Sequence, residues 1–261
     1  MSADISDRLE CAKRWATCAG EILLKRFGGR QDWNLKSERE TVTEADLESE
    51  KYIIEQIETE FAEPVLSEEF HPDTKPTGPL WIIDPLDGTN NFSMGFPFFC
   101  VIIAYAIDGE TRLGVIYEPI RKELFWTDGE KSYLGEERIS VSDTLKLAES
   151  FAATGFPYNR GGKNETNLEN FVRMTMAVRG VRRAGSAGLD LAYTAAGRFD
   201  IYWELGLKPW DLAAGELMVR CAGGRTGLFD GSEWRIGYDR ILAAAPGVFD
   251  KAANILTDGE D

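Results

Sequence analysis

The segment of this 261-residue chain that most limits its fold is an apolar run that ends in two aspartates. Residues 80–83 have the length and composition of a buried strand, and Asp84 follows them directly. Pro85 fixes the turn after this strand, and Asp87 arrives at the start of a predicted short helix. We expect the two carboxylates to face one cavity, where Gly88 allows close backbone approach. The segment therefore predicts a metal-binding pair combined with an anion-binding turn.

Three further acidic residues lie at the end of a predicted strand or at the start of a predicted helix. Glu68 follows a strand candidate at residues 64–67, Asp46 lies at the start of a helix that opens at Thr43, and Asp211 opens a later helix. Each also has a structural interpretation, because Asp, Pro and Gly form common turns, Asp and Thr cap helices, and neighbouring glutamates often lie on surfaces. No single one of these residues decides between the two interpretations.

Oxygen ligands dominate this candidate site. The only histidine is His71, and the four cysteines contain no Cys-x-x-Cys pair, so a Cys/His zinc site has almost no ligands available. Carboxylate ligands favour Mg²⁺ or Mn²⁺ over zinc. Two such ions about 3.5–4 Å apart can stabilise both the attacking and the leaving oxygen of an in-line displacement.

Charge and hydropathy narrow the class of protein. The formal net charge of -15 argues against sequence-independent binding to nucleic acid, because that affinity comes mainly from Lys and Arg. No segment approaches roughly 18 uninterrupted apolar residues, and Asp4, Asp7 and Glu10 occupy the region where a signal peptide needs an apolar run. We therefore expect a cytoplasmic protein with no direct contact to nucleic acid and no membrane segment.

Hydrophobic periodicity predicts helices and strands along the whole chain. The predicted helices cover residues 5–27, 43–61, 165–177 and 186–196, with a further helix from Asp211. The predicted strands cover residues 64–67, 80–84, 98–107, 111–117, 123–127, 151–154 and 199–203. Turn signals at 108–109 and 128–129 indicate that the middle strands form an antiparallel meander.

A boundary between two halves is predicted at residues 142–150, although no flexible Pro/Gly/Ser linker occurs there. We expect an N-terminal α+β half, residues 1–145, that carries most of the metal ligands. The C-terminal α/β half, residues 146–261, is expected to supply Asp211 and the substrate pocket. Without a linker, the two halves should share one compact body.

The chain resembles the inositol monophosphatase family in two spaced signatures. The first, Trp-x-x-Asp-Pro-x-Asp-Gly-Thr-x-Asn-Phe, is matched by residues 81–92, and the second, Trp-Asp-x-Ala-Ala-Gly, by residues 210–215 with Gly-Gly at 223–224. Matching segments at 43–46, 68–69 and 185–187 stand in the same order, so the resemblance covers about residues 5–250. It implies an α/β (α+β) fold, a layered αβαβα sandwich of the inositol monophosphatase/fructose-1,6-bisphosphatase type. Inhibition by lithium and assembly as a homodimer are also implied.

The resemblance assigns a role to each matching residue. It implies two or three Mg²⁺ ions per site, with Mn²⁺ possible, held by Glu68, Asp84, Asp87, Asp211 and the Leu86 carbonyl oxygen. The implied catalytic residues are Thr89 and Asp46, which would orient the attacking water, together with Glu68. Asp46 would also hold a weakly bound ion through water. The implied substrate contacts are Asp87, Gly88, Thr89, Asn90, Gly185, Ser186, Ala187, Glu204 and Asp211.

Two positions depart from the family pattern or align less clearly with it. Asn90 stands where the family often has a second threonine, so only a role of its backbone N–H carries over directly. Lys36 stands near the position of a lysine that the family carries on a mobile loop. An exposed surface charge is an equal interpretation of Lys36.

The substrate is left open among several small phosphate monoesters. Glu204 falls where inositol phosphatases use a carboxylate to accept hydrogen bonds from hydroxyl groups, which favours a polyol phosphate and above all inositol 1-phosphate. A carboxylate can equally receive the ammonium or imidazolium of histidinol phosphate. Fructose-1,6-bisphosphatase, nucleotide 3′-phosphatase and NADP phosphatase activities occur in the wider superfamily. A different alternative is a regulatory binding protein with incidental phosphatase activity, and fold similarity does not choose among these.

Overall fold

The structure is a computed structural model that describes residues 3–28, 33–35, 41–158 and 166–257. The α-helices in these residues are α1 (Ala3–Arg26), α2 (Glu44–Glu60), α3 (Thr89–Ser93), α4 (Leu168–Ala177), α5 (Ala187–Ala195), α6 (Pro209–Cys221) and α7 (Pro246–Thr257). The strands are β1 (Trp33–Leu35), β2 (Thr41–Thr43), β3 (Val65–Ser67), β4 (Pro79–Asp87), β5 (Cys100–Ile107), β6 (Glu110–Glu118), β7 (Glu123–Thr127), β8 (Ser132–Leu134), β9 (Glu137–Arg138), β10 (Phe151–Thr154), β11 (Gly180–Arg182), β12 (Ile201–Leu205), β13 (Arg225–Gly227) and β14 (Arg240–Ala244). The predicted helices and strands are therefore all present, with shifts of a few residues at their ends.

The larger sheet has seven strands in the order β3-β4-β5-β6-β7-β8-β9. Strands β3 and β4 are parallel, and each later pair of neighbours is antiparallel. The tight turn between β5 and β6 contains Asp108 and Gly109, both with positive φ. The predicted antiparallel meander is confirmed, and β8 and β9 extend it.

The second sheet has five strands in the order β11-β10-β12-β14-β13. Strand β10 runs parallel to β11 and β12, whereas β14 is antiparallel to β12 and β13. The strands β1 and β2 form a separate antiparallel pair.

Three hydrophobic clusters divide the molecule into layers. Helices α1 and α2 cover the outer face of the seven-stranded sheet, and α5 and α6 fill the space between the two sheets. Helices α4 and α7 cover the outer face of the five-stranded sheet. The order of layers is therefore helix, sheet, helix, sheet, helix, and the predicted αβαβα sandwich is confirmed.

The position of strand β4 between two helix layers explains why its residues 80–83 are all apolar. Leu80 and Ile82 pack against the middle helices, whereas Trp81 and Ile83 pack against α1 and α2. Both faces of the strand are buried, so neither face favours polar residues.

The end of strand β4 corrects one expectation. The sequence predicted that the strand ends at Asp84 and that Asp87 starts a helix, but the strand continues to Asp87 and α3 begins at Thr89. The pairing register with β5 shifts between Asp84 and Asp87. Because proline cannot donate a ladder hydrogen bond, Pro85 is tolerated at such an irregularity. The hydroxyl of Ser49 in α2 donates to the Pro85 carbonyl at 3.0 Å and ties this irregular segment to the helix layer.

Helix starts position two more acidic residues. Thr43 is the N-cap of α2, and the Asp46 carboxylate accepts a hydrogen bond from the Thr43 backbone N–H at 2.9 Å, which completes a capping box. Helix α6 begins at Pro209, two residues before the predicted start, because proline suits the first helical position. Asp211 therefore lies in the first turn of α6, where it accepts from the Lys208 backbone N–H at 2.7 Å.

The two sheets use different parts of the chain, since the larger ends at Arg138 and the smaller begins at Phe151. The middle hydrophobic cluster contains residues from both sheets. The division into halves 1–145 and 146–261 within one body stays a prediction, which this shared cluster supports. Among the described helices, none combines the length and the apolar character needed to cross a bilayer.

Candidate active site

A cleft of about 480 Å³ lies where strands β4 and β12 end and helices α3, α5 and α6 begin. Most residues predicted for the site border this cleft, namely Glu68, Asp84, Leu86, Asp87, Gly88, Thr89, Gly185, Ser186, Ala187, Glu204 and Asp211. Asp46 and Asn90 are not among the residues that border it. The fold therefore brings together segments of both sheets and of the helix layer between them.

The acidic side chains on the floor of the cleft repel one another. Burial raises the pKa of Asp84 well above its usual range, and the negative charges of Glu68, Asp87 and Asp211 raise it further. The pKa of Asp211 is raised well above its usual range by burial and then by the charges of Asp87 and Glu68. Because the charges of its neighbours raise the pKa of both Asp84 and Asp211, the four residues form one electrostatic cluster in the cleft.

The Asp84 and Asp87 carboxylates already accept hydrogen bonds from the protein. Asp84 Oδ1 accepts a hydrogen bond from the Leu86 backbone N–H at 3.0 Å. Asp87 Oδ2 accepts from the Ser186 hydroxyl at 2.5 Å and from the Gly188 backbone N–H at 2.7 Å, at the start of α5. In the described ranges, no group of three or more acidic, histidine or cysteine side chains is already arranged to hold a metal ion.

This cluster nonetheless has the chemistry of a site for hard cations. All its candidate ligands are oxygens, which Mg²⁺ and Mn²⁺ prefer, and burial together with the neighbouring negative charges raises the pKa of Asp84. A cation between the carboxylates removes their mutual repulsion. The residues present therefore fit a divalent metal, and Glu68, Asp84, Asp87 and Asp211 are the side chains that would hold it.

Asp46 lies behind Thr89 rather than at the cleft surface. Its side chain is fully buried, and it accepts from the Thr89 hydroxyl at 2.9 Å and from the Thr43 hydroxyl at 2.6 Å. The Leu86 carbonyl oxygen lies 3.0 Å from the same Thr89 hydroxyl. Burial raises the pKa of Asp46 to about 6, against the opposing effect of its hydrogen bonds. Asp46 thus reaches the cleft through the hydroxyl of Thr89.

Gly88 is required by the turn that begins α3. Its φ of 97° lies in the left-handed region, and a Cβ there would come within 3.0 Å of the Phe98 carbonyl oxygen and 3.3 Å of the Gly185 carbonyl oxygen. The Asn91 side-chain amide donates to the Phe98 carbonyl at 2.7 Å and to the Ala184 carbonyl at 2.8 Å. These contacts hold the turn against the segment that carries Gly185, Ser186 and Ala187.

Glu204 borders the cleft from strand β12. Its Oε2 accepts a hydrogen bond from the Tyr202 hydroxyl at 2.8 Å, and Tyr202 is fully buried. Asp190 in α5 is also buried, and no described residue donates a hydrogen bond to either of its carboxyl oxygens. Burial raises the pKa of Asp190 well above its usual range, and the charges of Glu204 and Asp87 add to the effect. Glu204 therefore adds a further acidic side chain to the cleft, whereas Asp190 does not border it.

The sequence did not single out several residues of the site. The cleft is also bordered by Phe156, Pro157, Tyr158, Arg183, Leu205, Gly206, Leu207, Lys208 and Asp239, and by Trp210 of the second signature. Arg183 and Lys208 stand within two residues of the segments that match the family signatures, and this proximity was the only available signal. Lys36 lies outside the described residues.

Glu50, which the sequence also did not single out, holds the backbone next to Glu68. Glu50 of α2 is fully buried, and its carboxylate accepts from the Glu69 backbone N–H at 2.9 Å and the Phe70 backbone N–H at 2.7 Å. These bonds hold the backbone immediately after Glu68. Glu50 follows Asp46 by one helical turn, so only the shared helix face could have indicated it.

Comparison with known proteins agrees with this geometry. The model of the inositol monophosphatase family matches residues 4–258. An inositol-1-monophosphatase from Synechocystis sp. is 38% identical over 245 residues, covering 92% of this chain and 85% of the relative. The Nus factor SuhB from Pasteurella multocida is 39% identical over 251 residues, covering 94% of both chains.

A solved structure shows the same architecture. The inositol monophosphatase from Anabaena (Nostoc) sp. superposes with a TM-score of 0.89 at 36% identity, covering 98% of this chain and 97% of that one. Sequence similarity and backbone geometry therefore agree over nearly the whole length. The chain belongs to the inositol monophosphatase family, a family of metal-dependent phosphatases.

Proposed function

We propose that this protein is a Mg²⁺-dependent phosphomonoesterase whose substrate is a small polyol phosphate, with inositol 1-phosphate as the leading candidate. The observation that carries the proposal is the composition of one cleft. Its floor holds the cluster of Glu68, Asp84, Asp87 and Asp211, and its side wall holds Glu204. Such a cleft can bind cations and the phosphate at one end and hydroxyl groups at the other.

The four acidic residues hold the metal in this proposal, with the Leu86 carbonyl oxygen beside them. When bound, Mg²⁺ supplies positive charge beside the phosphate and makes a water molecule more acidic. Ser186 and the start of α5 keep Asp87 in place through the hydrogen bonds to its Oδ2. The chain therefore contributes fixed acidic ligands drawn from several separate elements.

Thr89 and Asp46 act on the attacking water. When the Thr89 hydroxyl donates to Asp46, its oxygen lone pairs are free to accept a hydrogen bond from water. The pKa of about 6 for Asp46 suits a group that takes up a proton near neutral pH. The water oxygen bonds to phosphorus as the water gives up a proton through the Thr89 hydroxyl to Asp46. The ester P–O bond breaks, and the departing alkoxide takes up that proton through solvent and leaves as the alcohol. Gly88, Thr89 and Asn90 are proposed to offer backbone N–H groups to the phosphate.

The proposal is tested by phosphate release in the presence of Mg²⁺. Myo-inositol 1-phosphate and histidinol phosphate are supplied at equal low concentrations, with EDTA as one control and Asp84→Asn as the other. Preference for the inositol ester with loss of turnover in both controls supports the proposal. Equal hydrolysis by wild type and Asp84→Asn would contradict the site assignment.

Histidinol phosphate is the second candidate substrate. The observation that favours it is the Glu204 carboxylate, which borders the cleft. A carboxylate attracts an ammonium or imidazolium as readily as it accepts from a hydroxyl. A preference for histidinol phosphate in the same assay would transfer the proposal to that ester and leave the metal site unchanged.

A regulatory binding role is the third candidate, and it comes from the relatives named Nus factor SuhB. The decisive variant is Asp87→Asn, which removes one charge from the acidic cluster. If cells that carry Asp87→Asn keep the protein's biological role although the variant has lost turnover, binding is the main function. If the role is lost together with turnover, while the variant remains folded, hydrolysis is the main function.

A homodimer is proposed from the family resemblance and from one exposed apolar stripe. Leu168, Val172 and Met176 lie on one face of α4 at four-residue spacing, and they are 54%, 60% and 84% exposed. A second copy of this chain that buries the stripe removes this apolar surface from water.

A further inference from the structure

We infer that Tyr202 and Gly155 are positioning residues that set the place of the Glu204 carboxylate and thereby the preference for hydroxylated substrates. The inference rests on the proposed function, because it assumes that Glu204 meets the substrate's hydroxyl groups. Neither Tyr202 nor Gly155 borders the cleft. Both act through Glu204.

The geometry of strand β12 places Tyr202 beside Glu204. Side chains two residues apart in a strand point to the same face, and here that face looks toward the middle helices and the cleft. Tyr202 is fully buried, and its hydroxyl donates to Glu204 Oε2 at 2.8 Å. A hydrogen bond from a rigid buried tyrosine restricts the rotamers of a glutamate that otherwise has three freely rotating bonds.

Gly155 leaves the space that the Glu204 carboxylate occupies. It follows strand β10, whose Thr154 pairs with Trp203, so Gly155 lies next to Glu204 across the sheet. A Cβ at this position would stand 2.0 Å from Glu204 Oε1 and 2.1 Å from Oε2. The carboxylate therefore fills the space that any other residue needs for its side chain. The backbone at 155 does not have the positive φ that requires glycine, so a side chain there would displace the Glu204 carboxylate rather than strain the backbone.

Together these contacts fix the place of the Glu204 carboxylate beside the cleft. Tyr202 engages Oε2, and the absent side chain at 155 allows the whole group to lie against the backbone. A buried hydroxyl donor also lowers the tendency of the carboxylate to turn toward other donors. Specificity for hydroxyl groups depends on such placement, because a misplaced acceptor leaves polar groups unpaired.

The test compares two esters in four proteins. Wild type, Tyr202→Phe, Gly155→Ala and Glu204→Gln are assayed with myo-inositol 1-phosphate and with p-nitrophenyl phosphate, which has no hydroxyl on its alcohol portion. We expect Tyr202→Phe and Gly155→Ala to lower kcat/KM for the inositol ester by about tenfold, mainly through KM. The values for p-nitrophenyl phosphate should stay within about twofold of wild type, because the phosphate end is untouched.

Tyr105→Phe is the matched control. Tyr105 is also buried and its hydroxyl also donates to a glutamate, Glu63, but it packs in the outer helix layer away from the cleft. It should leave the ratio of the two kcat/KM values unchanged. Thermal unfolding of each variant, followed in EDTA, reports whether the fold is intact.

Three results overturn the inference in distinguishable ways. If Tyr202→Phe and Gly155→Ala leave the ratio unchanged while Glu204→Gln lowers it, the positioning role is wrong and the proposed function stands. If the two variants lower kcat/KM equally for both esters, their role is structural. If wild type does not favour the inositol ester, or Glu204→Gln leaves the ratio unchanged, the proposed role of Glu204 fails and the inference falls with it.

Discussion

Replacement of Asp84 by asparagine should affect stability and activity in opposite directions. Asp84 is 2% exposed, and its pKa is raised by burial and by the charges of three acidic neighbours. The asparagine carbonyl can keep the hydrogen bond from the Leu86 backbone N–H, while its amide turns toward the neighbouring carboxylates. The repulsion between residue 84 and the neighbouring carboxylates is thereby replaced by attraction. Residue 84, a candidate metal ligand, loses its charge.

The size of the effect follows from the electrostatics of the cluster. Two unit charges about 5 Å apart repel by about 3 kcal/mol at an effective dielectric constant of about 20. Partial protonation and relaxation reduce the gain, so the metal-free variant should be more stable than wild type by about 1–3 kcal/mol. In a chain of this length, each kcal/mol raises Tm by about 2–4 °C.

The assay combines thermal unfolding with phosphate release. Wild type and Asp84→Asn are unfolded in EDTA near pH 7.5 and then across a Mg²⁺ titration. Mg²⁺ should raise the Tm of wild type and have much less effect on the variant, because a ligand that binds only the folded state stabilises it. Turnover should fall by about several orders of magnitude in the variant.

Asp200→Asn is the matched control for this experiment. Asp200 is 8% exposed and accepts hydrogen bonds from the Ser142 hydroxyl and the Phe151 backbone N–H, away from the acidic cluster. Asparagine at this position should lower Tm in EDTA without affecting the response to Mg²⁺. A metal-free Asp84→Asn protein that is less stable than wild type would refute the repulsion argument, and near-normal turnover would refute the assignment of Asp84 as a ligand.

Further predictions concern pH, the support of Glu68 and assembly. The pKa of Asp46 is raised from 3.8 to about 6 in the folded state, so the unfolded chain loses this proton first and metal-free stability should fall as pH rises from about 4 to about 6. Urea unfolding in EDTA measures this change, and constant stability over the window contradicts it. Glu50→Gln should lower the free energy of unfolding by about 1–3 kcal/mol and weaken Mg²⁺ binding measured by calorimetry, since one backbone N–H near Glu68 loses its acceptor. Unchanged Mg²⁺ affinity would exclude the supporting role. Val172→Glu should shift the mass measured by light scattering from dimer to monomer, because it places a charge in the apolar stripe of α4. A monomeric wild type contradicts the proposed dimer.

Local sequence determined the elements and much of the site. The apolar run before Asp84 specified a buried strand, the Thr43 and Asp46 pair specified a helix start, and Asp211 indicated another helix, whose start lies two residues earlier at Pro209. These signals work because a strand, a cap and a first helical turn depend on residues only a few positions apart. The order of the signatures then indicated the family, and with it the layered fold.

Which of these side chains contact one another, and which lie buried beneath the cleft surface, depended on the tertiary structure. Asp46 is buried behind Thr89, Glu50 accepts from the backbone after Glu68, and the Tyr202 hydroxyl donates to Glu204. The irregular end of β4, which keeps Asp87 within the strand, depends on its pairing with β5. Hydrogen bonds and charge repulsion act over a few ångströms in space, whatever the separation along the chain, so no local pattern could specify them.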